Sequence, residues 1–560
     1  MSFIANNDFL KGFSFPTGYS VTNNGGVIKI EGEKIISVCR RPVIIKAKTY
    51  NIEDKIFKLE LAYQTTNGKW KNLTPTAAAI IFNRNKLVDL ANDGLPVTSS
   101  NATAFVDYLD AFNAENENNF PLTYTVPRCG WYKFDGKDCF VDPRRQLSVT
   151  DDNKNISVVV DSLSQFANSL RKVGKLEDWK KIYLLAKKSP VARIMIAAAI
   201  APILLKILGE RNFLLYICAP TRAGKTTALY LAASAIGDEK MIRSFDATKN
   251  GLAGAAADVN DYAFLVDEKQ VADNRIKEQL DTLVYALANG VGRTKLNKDS
   301  TLRKLKDWRT IAIMTGETQL LADNVTGGAN TRLLTIVAPK IILSADDCKT
   351  IRNTIKGNYG LVFPLVINKI FELGFEKLRQ VYQDLTDLFT TKYPELLNEY
   401  CRYMAVLTLA DALLNAILTD SSAFPIDDAI QNSNAIFKLI PTTTEISDTA
   451  REKVFILGFI AQNQNRFIGG NVAVDKMQMI FGKLDTDYIY ITVAALKKAC
   501  ADEGFDYRKL VSDLVEDGFF IPSDKIKKGY RTPLATVQKK IGKINTDCYR
   551  IKRIIFDSDE

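Results

Sequence analysis

A continuous apolar run, Phe213-Leu-Leu-Tyr-Ile-Cys218, leads directly into Ala219-Pro-Thr-Arg-Ala-Gly224-Lys225-Thr226-Thr227 and then into a stretch of good helix formers, Ala228–Ala235. A strand with apolar side chains on both faces must be covered on both, as at the centre of a parallel sheet. The helix that follows has to cross back over that sheet. This one unit therefore commits the middle of the chain to layered α/β architecture. Further strand candidates at Tyr262–Val266, Thr310–Met314 and Leu333–Val337 continue the alternation to about residue 342.

The loop after Cys218 reads G-x-x-x-x-G-K-[ST] with Ala219 in place of the first glycine. Successive backbone N–H groups at a helix N-terminus form an anion cradle. The expected cofactor-binding stretch is Ala219, Pro220, Thr221, Arg222, Ala223, Gly224, Lys225, Thr226 and Thr227. Lys225 would reach the β- and γ-phosphates, and the Thr226 hydroxyl would ligate Mg²⁺. The alanine matters only if its position needs φ > 0. The strand Tyr262–Val266 ends in Asp267-Glu268. Asp267 would hold Mg²⁺ through its waters and Glu268 would polarise the attacking water, so the joint signal points to ATP hydrolysis with Mg²⁺. The strand Thr310–Met314 ends in Thr315-Gly-Glu-Thr318. Thr315 is favoured to orient the water, with Glu317 as the rival. Arg332, after Gly327-Gly-Ala-Asn-Thr, stands where an arginine could reach a neighbouring subunit's γ-phosphate.

Composition closes off other chemistries. The chain has 560 residues, 46% of them apolar and 25% charged, an ordinary globular mix that excludes global disorder. At roughly 100–200 residues per domain it should hold several domains. It has no histidine. That removes Ser-His-Asp and Cys-His nucleophile activation and every zinc site built on imidazole. None of the eight cysteines forms a C-x-x-C pair, so scattered reduced thiols are expected. The longest charge-free apolar run, Ile194–Leu205, contains Pro202 and is shorter than the roughly twenty residues of a membrane span. The N-terminus lacks a basic n-region. A cytoplasmic protein without membrane contact is expected.

Around the central unit the chain changes character. Residues 1–155 look β-rich, with strands at Val43–Tyr50 and across Phe57, Leu59, Leu61 and Tyr63, and helices at Ala77–Ala91 and Asn101–Phe112. Residues 156–190 read as a helical linker, with amphipathic helices over Val158–Val173 and Leu176–Lys188. The α/β core spans 191–345. Residues 346–445 form a helical block, with Phe371–Phe389 and Leu396–Leu418 at helical spacing and Phe424–Thr444 a looser linker. Residues 446–560 fit a winged helix, with helices at Arg451–Gln464, Thr492–Ala501 and Tyr507–Asp517, and strands at Gly518–Ile521 and Cys548–Ile551 flanking a wing.

Two segments carry the basic surplus. Asn289–Arg309 holds seven basic residues against two acidic, with Asn297-Lys-Asp-Ser300 as its turn. This suits a hairpin whose Lys295, Lys298, Arg303 and Lys304 would track a single-strand phosphate backbone, although composition alone favours a solvated basic loop. Ile521–Arg553 holds ten basic residues against two. Lys527, Lys528 and Arg531 would there contact duplex DNA beside a helix-turn-helix.

The order of these parts resembles the AAA+ ATPases that insert a hairpin before sensor 1, specifically the minichromosome-maintenance-like helicases. The stretches Ala247-Thr-Lys-Asn-Gly-Leu-Ala-Gly254, Phe264–Glu268, Leu287-Ala-Asn-Gly290, Trp308 and Thr315-Gly-Glu317 look more narrowly like the DUF927 family. So do Gly18-Tyr-Ser-Val21, Gly94-Leu-Pro-Val-Thr98 and Arg128-Cys-Gly-Trp-Tyr132. That family includes self-loading replicative helicases of staphylococcal pathogenicity islands and chromosome cassettes. The resemblance implies a multidomain chain with a β-rich N-terminal domain, an AAA+ P-loop core with helical lid, and a C-terminal winged helix. It implies a ring, expected as a hexamer, that unwinds DNA for a mobile element. Lys225 and Thr226 become the Walker A pair, Asp267 and Glu268 the Walker B pair, Thr315 sensor 1 and Arg332 the arginine finger. Arg352 is a candidate for sensor 2. The rival readings are an origin-binding switch that melts DNA without translocating, and a remodeller of acidic proteins.

Overall fold

The computed structural model describes residues 12–22, 25–134, 136–144, 147–151, 154–160, 164–245, 249–267, 280–292, 306–321, 327–342, 344–419, 424–442, 447–469, 479–524 and 534–553. The chain divides into two units, Met1–Val173 with Asp258–Asp261, and Gly174–Ala257 with Tyr262–Glu560.

The first unit is built on a seven-stranded mixed sheet. Its longest pairing joins Val43–Asn51 and Ile56–Gln64 antiparallel. Leu59, Leu61 and Tyr63 enter the core as their period-2 spacing predicts, and the helix Ala102–Glu115 covers them with Phe105, Tyr108, Leu109 and Phe112. Two expected helices are corrected. Ala77–Ala91 is broken into Ala78–Ile81, Arg84–Leu87 and a 3₁₀ turn from Val88, because the Asn83 side chain accepts from the N–H groups of Asn85 and Lys86 and restarts the helix. Val158–Val173 is not one helix. Its β-branched start belongs to the strand Lys154–Val160, which pairs in parallel with Leu122–Val126, and only Gln165–Ser169 is helical, capped by Ser164.

In the second unit the run Phe213–Cys218 (β1) is a fully buried central strand. It lies in a five-stranded sheet with Arg243–Ser244 (β2), Phe264–Asp267 (β3), Ile311–Gly316 (β4) and Leu333–Val337 (β5), in the order β2-β3-β4-β1-β5. Every pairing is parallel. All five strands therefore end on one edge of the sheet and begin on the other. Helix Lys225–Ile236 (α1) follows β1 and packs on Pro190–Ile200, whose residues after Pro190 are all buried. Leu280–Asn289 (α2) and Ala345–Ile355 (α3) complete the elements used below.

The helical block is tied to this core by a buried charge. Arg193 Nε donates to Asp411 Oδ1 at 2.8 Å and its Nη2 to Asp428 Oδ2 at 2.7 Å. Phe371–Phe389 is split at Gly374 (φ 78°) into Phe363–Leu373 and Phe375–Lys392. The segment expected as a linker contains the helix Ile426–Phe437, which buries Ala429, Ile436 and Phe437. Among the described residues one helix, Asn398–Leu418, is long and apolar enough to cross a membrane, and 83% of that window is buried inside the protein.

The C-terminal module has helices at Asp448–Gln462, Val493–Glu503 and Tyr507–Glu516, and a hairpin of Val537–Ile541 with Ile544–Lys552. Gly518–Ile521 is not a strand. Its Ile521 N–H donates to Arg550 O alongside the hairpin. Glu452, 4% exposed, lies on the first helix. Burial, helped by Asp513 and opposed by Lys509, pushes its carboxyl up to about 7. A raised folded value means the charged form is penalised in the fold, so stability falls as pH rises from the ordinary carboxylate range toward 7. Glu452→Gln should therefore slow hydrogen exchange of Asp448–Gln462 at pH 8, by an opening energy on the order of 1 kcal/mol, with no difference near pH 4.

Candidate nucleotide site

The edge where the strands end brings together Lys225, Asp267, Thr315 and Glu317. After β1, Ala219 N–H donates to Gly316 O at the tip of β4 at 3.0 Å. The left-handed positions of the loop are Arg222 (φ 64°) and Gly224 (φ 95°). Ala219 is not one of them, so the missing glycine costs no backbone strain. A Cβ on Gly224 would meet Ile342 Cβ and Cγ1 at 2.9 Å, so here only glycine fits. Helix α1 starts at Lys225 and runs for 12 residues, presenting its first-turn N–H groups to the loop.

Lys225 is 8% exposed. Its Nζ donates to Ala219 O at 2.8 Å and Pro220 O at 2.9 Å, and lies 3.5 Å from Glu317 Oε1. Glu317 also accepts from Thr221 Oγ1 at 2.5 Å. The Thr221 hydroxyl, with Lys225 behind it, holds the Glu317 carboxyl below the usual range. Thr315 is fully buried and donates its hydroxyl proton to Asp267 Oδ1 at 2.6 Å, joining the tips of β4 and β3. The expected rivals thus do different things: Thr315 orients the acidic strand, while Glu317 faces the phosphate loop. Arg352 of α3 donates from Nε to Thr227 Oγ1 at 2.8 Å. Beside it a cavity of about 540 Å³ is lined by Thr226, Tyr230, Glu239, Lys349 and Arg352. Thr226 and Asp267 offer a hydroxyl and a carboxylate, the hard oxygen donors that suit Mg²⁺ arriving with phosphate. Among the described residues no cluster of three metal-binding side chains forms a separate metal cage. Glu268 lies outside the described residues.

Arg332 stands on the opposite edge. Its carbonyl accepts from Leu214 N–H at the start of β1. From there to the phosphate loop is about 16 Å along the strand, at roughly 3.3 Å per residue. Its guanidinium carbon sits 4.8 Å from the centre of the Tyr285 ring, and Nη1 donates to Gly328 O at 2.6 Å.

The basic insertion leaves from this same edge. Its described ends pair antiparallel: Val291 bridges Asp307, Gly292 N–H donates to Lys306 O at 2.7 Å and Trp308 N–H to Gly290 O at 2.8 Å. This is the stem that a hairpin requires. Lys295, Lys298, Arg303 and Lys304 lie outside the described residues, as do Lys527, Lys528 and Arg531. In the C-terminal module the described hairpin carries exposed Lys540 and Lys543. Sequence reading missed Asn212 and Tyr285. Neither belongs to a motif, and only the fold shows what they touch.

Residues 19–307, just over half of the chain, match the profile of a family described as a domain of unknown function, DUF927. The chain belongs to the DUF927 family. The match takes in the phosphate loop, Asp267 and most of the basic insertion of this DUF927 protein. Residues 450–553 match the Cch helix-turn-helix domain. A solved structure described as SCCmec type IV Cch, an active helicase, shares the fold with a TM-score of 0.68 at 20% identity, over 96% of this chain and 97% of that one. The C-terminal region of NrS-1 aligns over 71% of this chain and 91% of its own at 10% identity, with a TM-score of only 0.27. No curated protein matches the chain.

If the loop holds phosphate through Lys225, Lys225→Ala should weaken ATP binding at least about tenfold, since a charge-assisted hydrogen bond to an anion contributes roughly 1.5–3 kcal/mol. Titration with a fluorescent ATP analogue reads this directly, and unchanged affinity would remove the loop from consideration.

Proposed function

We propose that this DUF927 protein is an ATP-driven DNA helicase that works as a ring of identical subunits, on an AAA+ type core with the helical block as its lid. The observation that carries the reading is the bond between Thr315 and Asp267 beside the phosphate loop. A buried hydroxyl fixes an acidic strand end at the same sheet edge as Lys225. An acidic group held there is suited to hydrolysis rather than to binding alone. The likeness to a Cch structure described as an active helicase, together with the helix-turn-helix match, supports DNA as the partner.

In this mechanism Lys225 and the loop N–H groups bind the triphosphate, and Thr226 and Asp267 hold Mg²⁺. The ion supplies positive charge that offsets the charge of the phosphates. Thr315 keeps Asp267 aimed. Glu268, next in sequence, takes the proton of the attacking water. Glu317 competes with the phosphates for Lys225, so nucleotide entry would release it from its partner. Arg352 approaches α1 as a sensor 2 arginine would. Arg332, on the far edge from its own loop, serves the site of the next subunit, and hydrolysis therefore needs assembly. The basic insertion grips single-stranded DNA, and the lysines of the C-terminal module grip duplex. Replication of a mobile element is the setting that the resemblance implies.

A forked DNA with 3′ and 5′ tails tests this: strand displacement under multiple turnover with ATP is expected. Binding and slow hydrolysis without displacement would favour the melting switch. Glu268→Gln should retain ATP but lower turnover by about 10²–10⁴, the usual worth of a general base. Arg332→Ala, doped into wild-type protein, should depress turnover by more than its mole fraction. A strictly linear fall would contradict the role in trans.

A further inference from the structure

Helix α2 stands between two parts of the proposed machine. Near its middle, the Tyr285 ring lies against the Arg332 guanidinium at 4.8 Å. The contact is tight: a Cβ on Gly328, whose carbonyl Arg332 also holds, would come within 2.5 Å of the Tyr285 hydroxyl. At its end, α2 has last-turn carbonyls with no partner inside the helix. The Leu287 carbonyl accepts instead from Trp308 Nε1 at 3.2 Å and Asn212 Nδ2 at 3.3 Å. Trp308 belongs to the stem of the basic insertion. Asn212, one residue before β1, also donates to Trp308 O at 3.0 Å and accepts from Thr310 N–H at 3.0 Å at the start of β4. Gly290, at φ 67°, lets the chain turn from α2 into the stem, where a Cβ would sit 2.5 Å from both Asn212 Nδ2 and Trp308 O. These donors and acceptors are buried, so loss of any of them leaves an uncompensated polar group.

We propose that α2 is a rigid strut that couples Arg332 to the basic insertion within each subunit, with Tyr285 and the Trp308–Leu287 contact as its two ends. The proposal rests on the reading above, in which Arg332 senses the neighbour's nucleotide and the insertion holds DNA. Tyr285 is a positioning residue: it touches neither nucleotide nor DNA and acts through the arginine. When Arg332 is drawn toward a triphosphate on the next subunit, the ring it rests on and the helix behind that ring would move with it. The stem fastened to the last turn of the same helix would then carry the motion to DNA. Conversely, DNA held at the insertion would bias the arginine and raise turnover.

The readout is the factor by which single-stranded DNA stimulates ATP hydrolysis, measured on the full chain. Tyr285→Leu should cut that factor at least about fivefold, and Tyr285→Phe, which keeps the ring face, should restore it to within about twofold. Trp308→Phe keeps a smaller aromatic ring and removes the Nε1 donor, and should cut the factor from the other end. Because both ends belong to one strut, the double variant Tyr285→Leu/Trp308→Phe should be no worse than the more impaired single. Stimulation intact in either single variant, failure of Tyr285→Phe to restore it, or losses that multiply in the double would each overturn the strut. Wild-type protein that hydrolyses ATP without any response to DNA would remove the helicase reading and the strut with it. Wild-type stimulation with an insensitive Tyr285→Leu removes the strut alone. Thermal melting of each variant separates a coupling defect from a folding defect, because a variant that merely unfolds loses basal and stimulated hydrolysis together.

Discussion

The structure of the second unit depends on one constraint: β1 is buried on both faces with parallel partners on both sides. Parallel pairing gives the sheet a polarity that an antiparallel sheet lacks. Every strand exit lies on one rim and every entrance on the other. The exit rim receives the phosphate loop, Asp267, Thr315 and Glu317. The entrance rim receives Asn212, Thr310, Arg332 and the stem of the insertion. On the proposed reading, separation of hydrolysis from DNA grip follows from strand direction before any particular side chain is considered.

The two rims are built differently. At the exit rim, contacts are made by charged and hydroxyl groups over short distances: Lys225 with two carbonyls and Glu317, and Thr315 with Asp267. On the proposed reading Lys225 exchanges its carbonyl and carboxylate partners for phosphate oxygens, while the Thr315–Asp267 bond stays in place. At the entrance rim, Asn212 and Trp308 bond to main-chain atoms, and rings do the packing, with Tyr403 stacked on Phe213 at 4.1 Å and bonded to Thr331 O at 2.9 Å. Main-chain contacts of this kind hold position and transmit displacement.

Much of this was legible in the residues. The phosphate loop, the acidic strand end and the strand carrying Thr315 were readable because each pairs an apolar run with a chemically committed tip. The hairpin was readable from the turn residues Asn297–Ser300 inside a basic run. The failures have physical causes. Val158–Val173 has helical spacing on paper, yet three consecutive valines pair better in a sheet. Ala77–Ala91 contains an asparagine that caps a new helix inside the pattern. Asn212 and Tyr285 were invisible because a single polar or aromatic side chain has no period. Its meaning comes from carbonyls and a guanidinium brought in from distant segments.

The placement of Arg332 has a geometric consequence for assembly. If Arg332 serves a nucleotide it cannot be that of its own copy, whose loop lies on the opposite rim, so each site is completed by another copy. On the proposed reading the contact is head-to-tail, and each added copy presents the same unfilled donor and acceptor as the last. Such a series either closes on itself or grows without limit as a filament. The tilt between neighbouring copies decides which of the two this chain forms.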